Sequence, residues 1–227
     1  MTLVRAAVVL VTAMVVAGCS AGGDGASSSA PTSSSAPAAT TSTIPTMTPS
    51  PPPATPPTGK PMAFRDYLAS IDVTGVPKHL DETPGLAVTV PVPDGWAQTN
   101  DPLFATGVEY VQPVGTEGDA PSVTLMAVEL DGAFDPRDAV RHANADALPP
   151  TATGVTESFD DYDGFPSAAT QGVSGGTQHY NRIVIADVPS TGKRYLAQLT
   201  VTTPKDQLIA STPALNTVVS GFKVAVS

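Results

Sequence analysis

The cysteine at position 19 carries the most specific chemical signal in this sequence. Cys19 follows Val16, Ala17 and Gly18, at the end of an apolar stretch that begins at Ala6. Small residues let an extended backbone enter a peptidase, and a thiol is a nucleophile that can carry a diacylglyceryl group through a thioether. We therefore predict cleavage before Cys19 and attachment of lipid to its sulfur.

The four residues at positions 16–19 resemble the lipobox of bacterial lipoproteins, which is a branched apolar residue, two small residues and a cysteine. An ordinary secretory signal followed by a chance cysteine is the alternative, but the only cysteine of the chain stands where a lipobox requires it. The apolar stretch is too short to cross a bilayer as a helix. We expect lipid to hold the chain on the outer face of the cytoplasmic membrane, in the cell envelope. The sequence leaves open whether part of the protein is shed from the membrane.

A second candidate for chemistry is the Gly-x-Ser-x-Gly pattern at residues 172–176, centred on Ser174. This pattern forms a nucleophile elbow when a strand precedes it, a helix follows it, and an acid and then a histidine come later. Here a strand-like segment follows, and the next histidine, His179, is too near to be the usual partner. The sequence therefore favours a glycine-rich hairpin turn over a serine hydrolase.

Two further groups contain residue types that bind metals. Residues 160–164 place three aspartates before a glycine, which suggests either a calcium loop or a solvated hairpin turn. The segment lacks the further oxygens and the closing glutamate of an EF-hand loop, so we expect a turn. His142, four residues after Asp138, and His79, close to Asp81 and Glu82, are single histidines, and surface ion pairs explain them better than a metal does. We predict no metal and no cofactor.

Large aromatic residues are the remaining candidates for a pocket or an interaction surface. Trp96, the only tryptophan, follows the turn sequence Pro-Asp-Gly, and Tyr110, Tyr180 and Tyr195 lie in strand-like segments. Because a large ring beside a turn is usually a core anchor, the core interpretation is the stronger one for Trp96. An apolar cavity between a sheet and its helices is the route to a small-molecule site that the sequence leaves open.

Composition narrows the class of protein. The chain has 227 residues, a formal net charge of -10 and a single cysteine. An acidic surface argues against nucleic acid as a partner, and one cysteine rules out an intrachain disulfide. Residues 1–18 are predicted to be a signal peptide. Residues 19–61, rich in Pro, Ser, Thr and Ala, are predicted to be a disordered tether that spans about 35 Å, with O-glycosylation open. Residues 62–227 have the size of one globular domain.

The elements that must position these residues follow from hydrophobic periodicity and turn signals. Helical spacing predicts a first helix near residues 64–71, a second over residues 135–148 with Asp135 as its N-cap, and a third that ends near Phe222. The predicted strands are 86–90, 108–111, 122–130, 155–159, 165–173, 178–188 and 194–203. Strand 122–130 is mostly apolar and is expected to be central, and the last four form a meander. The result is an α+β fold, an antiparallel sheet covered by helices.

The domain resembles the mycobacterial LpqN/LpqT-type lipoproteins over nearly all of residues 62–227. The motifs that carry the resemblance are Asp-Tyr-Leu at 66–68, Gly-Val-Pro-Lys-His at 75–79, Pro-Val-Pro-Asp-Gly-Trp at 91–96, Gly-Phe-Pro at 164–166 and Tyr-Leu-Ala-Gln-Leu at 195–199. The resemblance implies a Mog1/PsbP-like fold, an antiparallel sheet sandwiched by helices, and no established catalytic residues.

These observations favour a lipid-anchored envelope protein with a non-enzymatic binding or scaffolding domain. Its expected partners are the membrane, through the lipid, and a protein of the envelope. A host protein as partner follows from the resemblance alone. The alternative is a binder or carrier of an apolar lipid or glycolipid, and the third hypothesis is a hydrolase of unknown mechanism.

Overall fold

A computed structural model describes residues 62–99, 107–116 and 119–227. The predicted signal peptide, the lipobox with Cys19 and the tether lie outside these residues. The helices are α1 (Phe64–Ser70), α2 (Pro136–Val140) and α3 (Leu208–Gly221). The strands are β1 (Thr74–Lys78), β2 (Leu86–Thr89), β3 (Trp96–Thr99), β4 (Val108–Pro113), β5 (Ser122–Asp131), β6 (Thr153–Tyr162), β7 (Phe165–Ser174), β8 (Thr177–Val188), β9 (Lys193–Pro204) and β10 (Lys223–Val226).

A large antiparallel sheet organises the domain, with the strand order β3-β4-β5-β9-β8-β7-β6. The predicted meander is confirmed, because β6 to β9 pair in chain order. The predicted central position of β5 is also confirmed, since β5 pairs with β9 on one side and with β4 and then β1 on the other. Two of the hairpins turn through residue pairs with positive φ, Asp163-Gly164 and Gly175-Gly176, as a two-residue connection requires.

The sheet buries apolar side chains on both faces, and strand alternation divides them into two clusters. Ile183 and Ile185 of β8 pack in one cluster with α1 and α2, which we call the α2 face. Val184 and Ala186 point the other way, into a cluster with α3, β2 and β10, which we call the α3 face. Burying a side chain of the size of valine or isoleucine contributes about 1.5–3 kcal/mol. These two layers fix which face of the sheet each residue of β7, β8 and β9 points to.

The second helix is shorter than the sequence predicts, and the expectation of a helix to residue 148 is wrong. Asp135 is its N-cap as predicted, since the Asp135 carboxylate accepts a hydrogen bond from the Arg137 amide at 2.8 Å. The α-helix ends at Val140 and continues as turns. From His142 the backbone amides bond three residues back rather than four, and the Asn144 side chain donates to the carbonyl of Ala169 in β7 at 3.1 Å.

Three strands differ from the expected arrangement. β3 (Trp96–Thr99) was not predicted. β1 was not predicted, because Gly75 and Pro77 occupy two of its five positions and both residue types are depleted in strands. β2 is a strand as predicted, but it pairs with β10 in a separate two-stranded sheet. Within the described ranges, no helix combines the length and the apolar character that a membrane crossing requires.

Candidate functional site

The four aromatic residues predicted for a pocket or an interaction do not meet in one place. Trp96 packs half-buried against the core of the α3 face, and Tyr195 is fully buried inside that core. Tyr110 lies on β4, opposite Thr124 of β5, and is half-buried. Tyr180 belongs to a dense polar cluster at the other end of the sheet, where β6, β7 and β8 run side by side. This cluster is the candidate site.

Arg182 of β8 is the centre of the cluster, and its side chain is 12% exposed. Its Nε donates to the Tyr180 hydroxyl at 2.8 Å, and one terminal nitrogen donates to the Ser167 hydroxyl at 2.9 Å. The same nitrogen donates to the Asp160 carboxylate at 3.2 Å, and Ser167 donates to that carboxylate at 2.8 Å. The guanidinium therefore joins β8 to both of the strands beyond it.

Tyr162, the last residue of β6, covers the guanidinium. The Arg182 Cζ lies 4.3 Å from the centre of the Tyr162 ring, a cation–π contact. The Tyr162 hydroxyl donates to the carbonyl of Phe222 at 2.6 Å, and the two rings stack with centroids 5.5 Å apart. Burial, reinforced by Tyr180 and Asp163, raises the pKa of Tyr162 to about 12. Tyr162 thus stays protonated and attaches the end of β6 to the end of α3.

The other tyrosine and the arginine respond to the same environment. Burial raises the pKa of Tyr180, although the charge of Arg182 opposes that shift. Burial acts to lower the pKa of Arg182, but Tyr180 and Asp160 outweigh it, and the pKa is raised above its ordinary value. A permanently charged guanidinium beside neutral phenols is a structural clamp, because none of these groups exchanges a proton near neutral pH.

Two more contacts hold β6 and the turn after it. On the α2 face, Arg137 forms an exposed ion pair with Asp161 at 2.8 Å, and the hydrogen bond from Arg137 lowers the pKa of Asp161. In the turn, the Asp163 carboxylate accepts from the backbone amide of Val224 at 2.9 Å and lies 3.5 Å from the Lys223 ammonium. The edge of the sheet is therefore fastened to α2, to β8 and to β10.

A concavity of about 210 Å³ lies beside the clamp on the α3 face. Its lining mixes polar groups with the Tyr180 ring and the Ala169 methyl, and the residues are Thr156, Glu157, Ser158, Ala169, Thr170, Gln171, Tyr180 and Arg182. Pockets that enclose drug-sized ligands usually have about 300–1,000 Å³. A space of this size suits a small group better than an acyl chain.

The serine of the Gly-x-Ser-x-Gly pattern lies at a hairpin turn, as predicted. Ser174 ends β7, and Gly175 and Gly176 lead directly into β8. The Ser174 hydroxyl lies 2.7 Å from the Thr151 hydroxyl, whereas the His179 ring nitrogen contacts the Ser174 carbonyl at 3.3 Å. The geometry therefore lacks the contact between a nucleophile and a base that acyl transfer needs.

The three carboxylates at residues 160–163 diverge rather than converge on one point, since each has a different partner. The predicted turn is confirmed by the hairpin through Asp163 and Gly164. His142 lies beyond the end of α2 and stacks on Tyr67 with centroids 4.0 Å apart, and His79 caps the short 3₁₀ turn at Leu80–Glu82. Among the described residues, no group of three or more metal-ligating side chains is close enough to hold an ion.

Sequence reasoning did not find Arg182, Tyr162 or Ser167 as a cluster. Arg182 and Tyr180 are two apart on β8 and so share a face, which is a weak signal. The remaining partners come from other strands, at sequence separations of 15 to 22 residues from Arg182. Only the strand register brings them together.

Comparison with known proteins identifies the domain. A family model with the description Probable lipoprotein LpqN matches residues 60–225. The chain belongs to the LpqN lipoprotein family. Among its relatives, the lipoprotein LpqT of Mycobacterium leprae is 36% identical over 172 residues, which are 73% of this chain and 78% of LpqT. LpqT of Mycobacterium tuberculosis strain H37Rv is 33% identical over 175 residues, 74% of this chain and 76% of that relative.

Another relative of this chain has a different name. The proline-rich 28 kDa antigen homolog of Mycobacterium leprae is 31% identical over 169 residues, which are 72% of this chain and 60% of the relative. A crystal structure of LpqN, a protein involved in cell envelope biogenesis of Mycobacterium tuberculosis, superposes with a TM-score of 0.60. The match covers 74% of this chain and 99% of LpqN at 20% identity, so it supports the shared fold.

Proposed function

We propose that this chain is a lipid-anchored binding domain of the cell envelope that engages a protein partner without transforming it. Membership in a lipoprotein family supports the anchor predicted at Cys19. The solved structure of LpqN belongs to a protein involved in cell envelope biogenesis, which supports an envelope location for this proposal. In this account residues 1–18 are removed, residues 19–61 form the tether, and residues 62–227 bind in a Mog1/PsbP-like fold.

The observation that carries the proposal is the way β6 is presented. All of its ten residues except Tyr162 are exposed, although it belongs to a large sheet. The polar cluster around Arg182 and the separate Arg137–Asp161 ion pair both fasten this strand, and neither surrounds a reacting group. A rigid, exposed strand suits recognition of another chain, because little conformational entropy is lost when a partner binds.

Photo-crosslinking in the native membrane tests this proposal. A photoreactive residue replaces Val114, Phe159 or Ile209, whose side chains are exposed and lie on separate elements. We expect at least one position to give a reproducible adduct with an envelope protein in the anchored chain, and the adduct to disappear in a Cys19→Ser variant. Absence of adducts from all three positions contradicts the proposal, as does ester hydrolysis that a Ser174→Ala variant abolishes.

The second candidate function is binding of a glycolipid through its headgroup. The polar concavity beside Arg182 favours it, because hydroxyl and amide groups can hydrogen-bond a sugar. Native mass spectrometry of the chain purified from its own membrane distinguishes glycolipid binding from protein binding. An adduct that a Gln171→Ala variant loses supports the headgroup site, and a bare protein mass in every preparation removes this candidate.

A further inference from the structure

The outer edge of β6 is the feature that the proposed function leaves unexplained. Within the described part of the chain, β6 pairs only with β7 and ends the sheet. It is a ten-residue strand without proline or lysine, although its pairing with β7 has one irregularity between Thr153 and Thr156 and it contains three carboxylates. The opposite end of the sheet is shielded differently, because β3 has four residues and β1 contains Pro77. An edge of this length offers a row of backbone groups to another strand.

The face of β6 that points toward α2 has a distinct pattern. Val155 and Phe159 are exposed by 47% and 50%, and Glu157 stands between them. The other two carboxylates of the strand are occupied, Asp160 by Arg182 and Asp161 by Arg137. Glu157 makes no ion pair with any described residue. The exposed pattern is therefore apolar, negative, apolar at alternate positions.

This pattern disfavours a second copy of the same strand. In an antiparallel pair that matches Val155 with Phe159, Glu157 stands directly opposite the Glu157 of the second copy. Like charges in directly opposed positions destabilise a strand pair. The predicted tether is an equally poor occupant, because its many prolines lack the N–H that a ladder requires. A segment with a basic residue between two apolar residues would place a positive charge opposite Glu157 and apolar side chains opposite Val155 and Phe159.

We propose that β6 binds an extended segment of a partner protein as an added strand, with a lysine or arginine opposite Glu157 and apolar residues opposite Val155 and Phe159. Main-chain hydrogen bonds would supply affinity, and the alternating side chains would supply selectivity. This inference rests on the proposed function, since it names the surface and the chemistry of the partner.

A charge-swap experiment on the full chain tests the proposal. The chain is placed in nanodiscs of a zwitterionic lipid, and labelled peptides are titrated by fluorescence anisotropy. The probe is a peptide with blocked ends in which threonine alternates with valine, lysine and valine in turn. A comparison peptide has glutamate in place of the lysine. We expect the wild-type chain to prefer the lysine peptide by at least about fivefold, and a Glu157→Lys variant to prefer the glutamate peptide.

Two controls separate strand pairing from general charge attraction. Asp94→Lys makes the same charge change at an exposed turn near β3 and should leave the preference for the lysine peptide in place. A lysine peptide with N-methylated backbone keeps its charge but loses donors, and should not bind. The proposal would be overturned if the N-methylated peptide binds, or if Glu157→Lys and Asp94→Lys change the peptide preference equally. It would also be overturned if sedimentation shows that the chain dimerises through β6. If crosslinks persist at Val114 or Ile209 while these peptides fail, the proposed function survives and this surface does not.

Discussion

Replacing Arg182 with alanine should loosen the edge of the sheet far more than replacing Arg137, although both arginines hold β6 through a carboxylate. The Arg182→Ala change removes the donor to the Tyr180 hydroxyl and to Ser167, which are both buried. It also removes the cation that covers the Tyr162 ring. The Arg137→Ala change removes an ion pair whose side chains are 63% and 46% exposed.

The magnitudes follow from burial. A buried polar group left without its partner costs about 1–3 kcal/mol, and a partly desolvated cation–π contact contributes about 0.5–2 kcal/mol. Asp160 is half-exposed and can recover water, so we add nothing for it. The expected loss of unfolding free energy is about 2–4 kcal/mol for Arg182→Ala. Solvent screens the exposed Arg137–Asp161 pair, so we expect a much smaller loss of unfolding free energy for Arg137→Ala than for Arg182→Ala.

Urea unfolding of the full chain measures both values, with Trp96 as the single tryptophan reporter. Hydrogen exchange then locates the effect. In Arg182→Ala the amides of β6 should exchange faster, while those of β5 and β9 change only as much as global stability requires. Equal losses for the two variants, or a loss below about 1 kcal/mol for Arg182→Ala, would refute the role of the clamp.

Three other predictions concern single residues. The raised pKa of Tyr162 means that its stabilising contribution is complete below pH 10 and is lost as pH rises through about 12, so Tyr162→Phe should lose less stability between pH 9 and 12 than the wild type. The buried Tyr195 hydroxyl has no hydrogen-bond partner among the described residues, and Tyr195→Phe should change the unfolding free energy by less than about 0.5 kcal/mol or increase it. Gly107 and Gly95 both have a positive φ, but a Cβ at Gly107 would lie 2.5 Å from the backbone oxygen of Lys78. Gly107→Ala should therefore lower the unfolding free energy by at least about 1 kcal/mol more than Gly95→Ala in the same unfolding assay.

The sequence was informative where local chemistry decides the structure. Asp163-Gly164 and Gly175-Gly176 specify tight hairpins because their residues accept positive φ, and the strands on either side pair as predicted. The role of Asp135 as the N-cap of α2 could also be predicted from the sequence. Such signals need only a few neighbouring residues, so the meander β6 to β9 could be predicted.

Long-range pairing explains what the sequence did not reveal. β1 contains Gly75 and Pro77 and forms by pairing with the edge of β5. No local sequence pattern indicates this pairing. α2 ends at Val140, and the segment after it is held against β7 by Asn144, a contact that no local pattern indicates. The clamp around Arg182 depends on the register of three strands, and a shift of one residue would turn its side chains to the other face. The exposure of β6 is likewise a property of the assembled sheet.

The most direct test of the account is hydrogen exchange of the full chain in its own membrane, compared with the same chain purified into nanodiscs. If a partner occupies the edge, the backbone amides of β6 should be protected in the native membrane and lose that protection on purification, while β8 remains unchanged. If β6 exchanges equally in both states and protection differs nowhere else on the domain, the chain does not act as a binding domain in the envelope.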